Sequence, residues 1–139
     1  MTTPSAAETV TRVNPPALGD PTPYGYSTAT VLPPGARLAF ISGQGGQDER
    51  GGLSPDFAAQ VSQGYANLAK ALNGLGAKPD QVAKLTVYVV DHQPAKLAVL
   101  TRAVTTLFGD HLPAQTLVPV TKLAVDPMLF EVEAVVVLP

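Results

Sequence analysis

The chain has 139 residues, of which 45% are hydrophobic, and this length and composition suit one globular domain with its own core. Its formal net charge is −2 with only nine Lys and Arg, which argues against a nucleic-acid partner, and no apolar run reaches the ~18 residues of a membrane-spanning helix. The absence of cysteine excludes disulfides, thiolate metal sites and cysteine nucleophiles, and no apolar segment of signal-peptide length opens the chain, so we expect a cytoplasmic protein.

The first 23 residues are rich in proline. Five prolines fall here: Pro4, Pro15, Pro16, Pro21 and Pro23. Proline lacks a backbone donor and fixes φ, which disfavours helices and central strands. We therefore predict a flexible N-terminal arm at residues 1–12, with residues 13–23 running extended over a single domain that covers residues 13–139.

Two strand-like segments follow. Tyr24–Val31 is rich in tyrosine, threonine and valine, and Arg37–Ser42 lies beyond a Pro33-Pro34-Gly35 turn, which together predict a hairpin. The next residues, 43–46, read GQGG but lack the lysine of a phosphate-binding loop. We interpret them as a strand end with a turn that shapes a pocket, where glycine permits a close approach of the backbone to a neighbouring group.

Two amphipathic helices are predicted, at residues 55–76 and 94–108. Ser54 can cap the first helix with Pro55 in its first turn, and Gly76 and Gly109 mark the two ends. Apolar residues recur every three or four positions, as one face of a helix requires. They are Phe57, Val61, Leu68, Leu72 and Leu75 in the first helix, and Leu97, Leu100, Val104, Leu107 and Phe108 in the second.

Three more strands complete the pattern: Val82–Val90, Ala114–Val120 and Leu129–Leu138. Pro119 favours an edge position, a bulge or a strand end for the second of them. The order β-β-α-β-α-β-β predicts an α+β fold with both helices on one face of a single sheet. The other face is also partly apolar, so we expect a second copy of the chain to cover it.

Polar residues on the last two strands are candidates for function. Glu131 and Glu133 point to the same face, away from the helices, where a carboxylate needs a partner or a function; Lys84 and Lys122 are candidate partners. Gln115 shares one face of its strand with Leu117 and Pro119. The two histidines, His92 and His111, are interpreted as surface loop residues, and no ligand spacing predicts a metal site.

Several motifs, taken in order over about residues 20–138, resemble the reactive-intermediate deaminase (RidA/YjgF) family. Ile41–Gln44 reads ISGQ, Val82–Tyr88 reads VAKLTVY, and residues 130–134 read FEVEA. The remaining matches are Gln60, Tyr65, Asn67, Leu68, Gly76, Phe108, Pro113 and Ala114.

This resemblance implies a chorismate-mutase-like fold and a homotrimer whose small-molecule pockets lie between neighbouring subunits, with no cofactor. It implies hydrolysis of imines and enamines such as 2-aminoacrylate to keto acids and ammonia. Glu131 corresponds to the glutamate that positions the attacking water, and Tyr24 and Ser42 correspond to pocket residues. The expected substrate-binding set is Tyr24, Ser42, Gln44, Thr101, Gln115 and Leu117.

Gln115 departs from the family pattern, because it stands where active deaminases carry the arginine that grips the substrate carboxylate. Thr101 and Leu117 likewise replace an asparagine and a cysteine. Arg102 and Lys122 are candidate replacement cations. Three functions follow as hypotheses. The first is hydrolysis of an imine or enamine whose recognised group is neutral, and the second is ligand binding or regulation by a non-catalytic trimer. The third is a ribonuclease-like or translation-inhibiting activity, which the absence of a basic patch disfavours.

Overall fold

The computed structural model of the protein describes residues 10–138. Within this part of the chain, eight strands and helices follow one another. They are β1 (Thr11–Val13), β2 (Ala29–Val31), β3 (Arg37–Gly45), α1 (Phe57–Gly74), β4 (Val82–Val90), α2 (Leu97–Phe108), β5 (Ala114–Val120) and β6 (Phe130–Leu138).

Four strands form the main sheet, in the order β3-β6-β4-β5. β6 runs antiparallel to both of its neighbours, and β4 and β5 are parallel, with α2 as the crossover between them. The predicted α+β fold with two helices on a mixed sheet is therefore confirmed. β5 lies at the edge, where the missing N–H of Pro119 costs no hydrogen bond between central strands.

The predicted hairpin is wrong. β2 pairs with β1 through Arg12 and Thr30, and β3 pairs with β6 instead. The Thr30 hydroxyl donates to the carbonyl oxygen of Ala83 at 2.8 Å, and this contact holds β2 against β4. Their closeness along the chain suggested that β2 and β3 pair with each other. Contacts with β4 and β6, about 50 and 100 residues further along the chain, decide the pairing instead.

The N-terminal segment is more structured than its prolines suggest. Val10 is only 2% exposed and packs with Ala83 and Val137, so residues 10–12 of the predicted arm belong to the domain. Residues 1–9 of that arm lie outside the described residues. The stretch predicted to run extended contains two short 3-10 helices, Pro16–Leu18 and Thr22–Tyr24, because proline fits the first turn of a helix as well as it fits an extended chain.

Both long helices are shorter than predicted. Asp56, not Ser54, caps α1 by accepting a hydrogen bond from the Ala59 amide at 3.0 Å. The Ser54 hydroxyl accepts from the Asp56 amide at 3.1 Å, just before the helix begins. α2 begins at Leu97 because residues 94–96 form a 3-10 turn with proline first.

The helix face of the sheet, which carries both helices, holds the main core. Val61, Leu68 and Leu72 of α1 and Leu100, Val104 and Phe108 of α2 are buried, as the predicted stripes require. They pack on strand residues that include Leu85, Val87, Phe130, Val132 and Val136. Leu75 and Leu97, at the ends of the predicted stripes, are not buried with the others, since they are 41% and 48% exposed.

The opposite face of the sheet, here called the open face, exposes large apolar side chains. Phe40 is 76% exposed and Leu38 is 45% exposed, and their register partners on β6 are Val135 and Val137.

Neither helix within residues 10–138 combines the length and the apolar character needed to cross a bilayer.

Candidate functional site

Residues 24–27 are held against α2 and the start of β5. Gly25 has a φ of 88°, and a Cβ there would lie 2.6 Å from a Val104 methyl group, so the chain makes this approach only with glycine. The Ser27 hydroxyl donates to the Leu112 carbonyl oxygen at 2.6 Å, and the Ser27 amide donates to that of Pro113 at 3.0 Å. The segment therefore extends the edge of the sheet beside β5.

Four of the predicted site residues meet at this edge: Tyr24, Thr101, Gln115 and Leu117. We call them the glutamine half-site. They line a cavity of about 320 Å³ together with Tyr26, Leu97 and Leu100. Gln115 and Leu117 face the helices because their partners on β4 are the buried Leu85 and Val87. The Thr101 hydroxyl donates to the Tyr24 carbonyl oxygen at 3.3 Å and ties α2 to the segment.

The Gln115 carboxamide has an unsatisfied acceptor. Its Oε1 atom is buried and has no hydrogen-bond partner among the described residues. A buried polar atom without a partner is costly in a folded protein, and such atoms often await a ligand or water. Gln115 thus adds an unpaired amide oxygen to a wall that three leucines, two tyrosines and Thr101 complete.

A second cavity, of about 560 Å³, also has Gln115 in its wall. It is lined by Asp20, Tyr26 and Lys84 among others, and the Lys84 ammonium donates to the Thr116 hydroxyl at 2.7 Å. No sequence motif indicated a pocket role for Tyr26 or this position of Lys84. The alternation of residues 82–90 already indicated that Lys84 and Leu85 lie on opposite faces of a strand. The proximity of Lys84 to Gln115, by contrast, depends on the parallel pairing of β4 with β5.

Neither predicted replacement cation lies at Gln115. Lys122 forms an exposed ion pair with Asp126 at 2.8 Å. Arg102 lines a different groove, between α1 and α2. The cation that shares a cavity wall with Gln115 is Lys84.

Glu131 lies on the open face, opposite Tyr88 of β4. Its carboxylate rests against the backbone of Gly43, where any added Cβ would overlap Oε1. Glycine at 43 is therefore a steric condition for the orientation of this glutamate. Ser42 and Gln44 flank that glycine, and the Gln44 amide donates to the Ser42 carbonyl oxygen at 3.0 Å. We call Ser42, Gln44 and Glu131 the glutamate half-site.

Glu133 has a partner that sequence analysis did not anticipate. The Tyr88 hydroxyl donates to its Oε1, and neither Lys84 nor Lys122 contacts it in the hydrogen bonds and ion pairs described above. This hydrogen bond, together with the charge of Glu133, raises the pKa of Tyr88. The Glu131 carboxylate accepts no hydrogen bond from that tyrosine hydroxyl.

The glycine-rich strand end packs closely on α1, and its role in shaping a pocket stays a prediction. A Cβ on Gly46 would lie 2.6 Å from the Gln60 Cα, and the Asn67 amide donates to the carbonyl oxygens of Gly45 and Gln47 at 2.9 and 2.8 Å.

His111 is exposed, and His92 is partly buried. Residues 10–138 contain no group of three or more His, Cys, Asp or Glu arranged to hold a metal ion.

One chain does not bring the two half-sites together. Gln115 is on the helix face of the edge strand β5, whereas Glu131 is on the open face of β6, with β4 between them. No member of the glutamate half-site lines either cavity that Gln115 lines.

A family model and the solved structures both relate this chain to one family. The family model described as Endoribonuclease L-PSP matches residues 21–138, whereas no curated protein matches the chain. Among solved structures, a protein of unknown function of the Rid family, YyfB from Yersinia pestis, is 33% identical with a TM-score of 0.87, over 93% of this chain and 98% of that one.

Two further structures agree. RidA from an Antarctic Psychrobacter is 26% identical with a TM-score of 0.67, over 90% of this chain and 94% of its own. Rv2704 from Mycobacterium tuberculosis, of the YjgF/YER057c/UK114 family, is 25% identical with a TM-score of 0.62, over 94% and 100%. The chain therefore belongs to the RidA/YjgF (Rid) family of proteins, the family whose sequence model carries the description Endoribonuclease L-PSP.

Proposed function

We propose that this protein is a cytoplasmic homotrimer that binds a small molecule between neighbouring subunits and hydrolyses an imine or enamine carbon–nitrogen bond. We further propose that its substrate differs from 2-aminoacrylate, because Gln115 stands in place of the carboxylate-binding arginine. The observation that carries this proposal is the glutamine half-site itself, a cavity of about 320 Å³ with a buried, unpaired amide oxygen.

The separation of the half-sites supports a pocket built from two copies. Glu131 lies on the same open face as the exposed Phe40 and Leu38. Contact through that face buries these apolar side chains and brings Glu131 of one copy toward the exposed edge strand of another. A closed ring of three gives every copy the same contact, in agreement with the trimer that the family resemblance implies.

The proposed reaction requires one water molecule and no cofactor. Glu131 accepts a proton from water as the oxygen adds to the imine carbon, and the nitrogen is protonated. The resulting carbinolamine breaks its carbon–nitrogen bond, which gives a carbonyl product and ammonia. A carboxylate within hydrogen-bond reach of the water is suited to this general-base role.

Gln115 changes which substrate is bound well. Arginine holds a carboxylate through two charge-assisted hydrogen bonds, whereas glutamine donates from one uncharged NH₂ group. A hydrogen bond to a charged group contributes about 1.5–3 kcal/mol and a neutral one roughly half of that. We therefore expect a carboxylate-bearing imine to bind about 10- to 100-fold more weakly than it binds to an arginine-containing relative.

The test is ammonia release from 2-aminoacrylate generated in situ. We expect slow turnover by the unsubstituted protein, a rise in kcat/KM of about 10- to 100-fold in Gln115→Arg, and loss of that gain in Gln115→Arg/Glu131→Gln. Turnover by the unsubstituted protein equal to that of Gln115→Arg would refute the role given to Gln115.

The alternative is a trimer that binds or senses a ligand without chemistry. A ligand screen by thermal shift separates the two proposals. Hits that raise Tm and release ammonia in a Glu131-dependent manner favour the hydrolase. Hits that raise Tm and are never turned over favour the regulatory trimer.

A further inference from the structure

We infer that the group recognised at Gln115 is a neutral amide that presents an N–H donor and a C=O acceptor side by side. This inference rests on the proposed function for the position of the ligand, and it adds the chemical class of the group that is bound.

The unpaired Oε1 atom of Gln115 determines the first requirement. It is a buried acceptor, so a ligand that reaches it after a turn of the carboxamide must donate to it. A carboxylate offers only acceptors and places its own lone pairs against Oε1. An ester or a ketone is neutral but also lacks the donor. Each of these leaves the buried oxygen unpaired.

The Gln115 amide nitrogen determines the second requirement, because it is a donor and calls for an acceptor in the ligand. An amide edge supplies both functions in one plane, and two parallel hydrogen bonds to a carboxamide side chain give the same paired geometry that arginine gives with a carboxylate. The replacement of arginine by glutamine thus exchanges one planar two-point contact for another and removes the charge.

The surroundings of Gln115 favour an uncharged ligand. Leu97, Leu100 and Leu117 line the same small cavity, and apolar walls penalise a charge that has no partner. The Thr101 hydroxyl already donates to the Tyr24 carbonyl oxygen, so its proton is committed within the chain.

Lys84 offers a competing mode of ligand recognition, because a carboxylate in the adjoining cavity could pair with its ammonium. That ammonium projects from the opposite face of the sheet and donates to the Thr116 hydroxyl at 2.7 Å. A test must therefore separate recognition by Gln115 from recognition by Lys84.

Three probes of nearly equal shape make this separation: pyruvamide, which has donor and acceptor; methyl pyruvate, which has the acceptor only; and pyruvate, which carries the charge. We would measure Kd by NMR titration of the intact protein, following the amides of residues 115–117. We expect pyruvamide to bind at least about 10-fold more tightly than either other probe, since a site that pairs with an N–H rejects analogues without one. Gln115→Met should remove the preference, and Gln115→Arg should reverse it in favour of pyruvate.

Lys84→Met serves as the matched control and should leave the order unchanged. Tighter binding of pyruvate, equal binding of the ester and the amide, loss of the order in Lys84→Met, or no binding of pyruvamide overturns the inference. The probes cannot lose ammonia from an imine carbon, so their binding does not depend on catalysis. If pyruvamide binds with the expected order but no imine is hydrolysed, the catalytic proposal fails and the assigned ligand class stands.

Discussion

The carboxylate of Glu131 and the backbone of Gly43 occupy adjoining space, so the identity of residue 43 controls where the glutamate points. Gly43 is exposed on one side, and the overlap from an added Cβ involves the carboxylate group of Glu131 rather than backbone. The side chain can swing away, which spares the fold. The cost of a substitution at this position should therefore appear in catalysis and not in folding.

We predict that Gly43→Ala, introduced into the Gln115→Arg protein, lowers kcat for 2-aminoacrylate about 10- to 100-fold, because misplacement of a reacting group by about 1 Å has effects of that size. Tm should change little. Gly74→Ala is the control, since a Cβ there meets nothing within 4 Å. Unchanged kcat in Gly43→Ala would show that the Glu131 orientation seen in one chain is not the reactive one.

Among the elements, the loops before α1 and before β6 depend on one side chain of α1. Gln60 is fully buried, and its amide donates to the carbonyl oxygens of Ser54 and Pro127 at 2.7 and 2.8 Å. Its own oxygen accepts from the Leu129 amide at 2.8 Å. Three backbone groups from two distant loops are thus satisfied by one glutamine, which fixes how β6 enters the sheet.

We predict that Gln60→Met lowers the free energy of unfolding by about 2–4 kcal/mol, because a side chain of similar size leaves three buried backbone groups without partners. Gln63→Met is the matched control on the same helix. It removes one partly buried hydrogen bond, to Asn67 at 2.9 Å, and should cost less than about 1 kcal/mol. Urea denaturation at one fixed protein concentration measures both, and equal losses would contradict the role assigned to Gln60.

The elements also differ in how far the sequence foretold them. The helices were predictable because the apolar period is a local signal, whereas Pro119 left an edge position, a bulge and a strand end open for β5 and the sheet order selects the edge. The pairing of β2 was not, since β2 and β3 are both plausible hairpin strands and Val10, Ala83 and Val137 decide the outcome from far along the chain. For the site, the two-residue period placed Glu131 on the correct face, but no local signal identified Tyr88 as the partner of Glu133 or brought Lys84 beside Gln115.

At the scale of the whole molecule, the half-sites face away from each other across one sheet, so one chain does not present Gln115 and Glu131 to the same ligand. The open face accounts for this arrangement if it is the surface that another copy covers. Each copy then contributes the glutamine half-site to one pocket and the glutamate half-site to the next. A ring of this kind allows two deficient chains to correct each other.

We predict such correction between the unsubstituted protein, which has Glu131 but no arginine, and Gln115→Arg/Glu131→Gln, which has the arginine but no glutamate. Neither alone should turn over 2-aminoacrylate rapidly. In trimers co-assembled from equal amounts, about a quarter of the pockets combine the new arginine with Glu131 of the neighbour, so activity should reach about a quarter of that of Gln115→Arg. Mixing the double variant with Glu131→Gln provides no glutamate and should give nothing. If the first mixture is also inactive while mixed trimers are isolated, both half-sites must come from one chain, and the proposed pocket between copies is wrong.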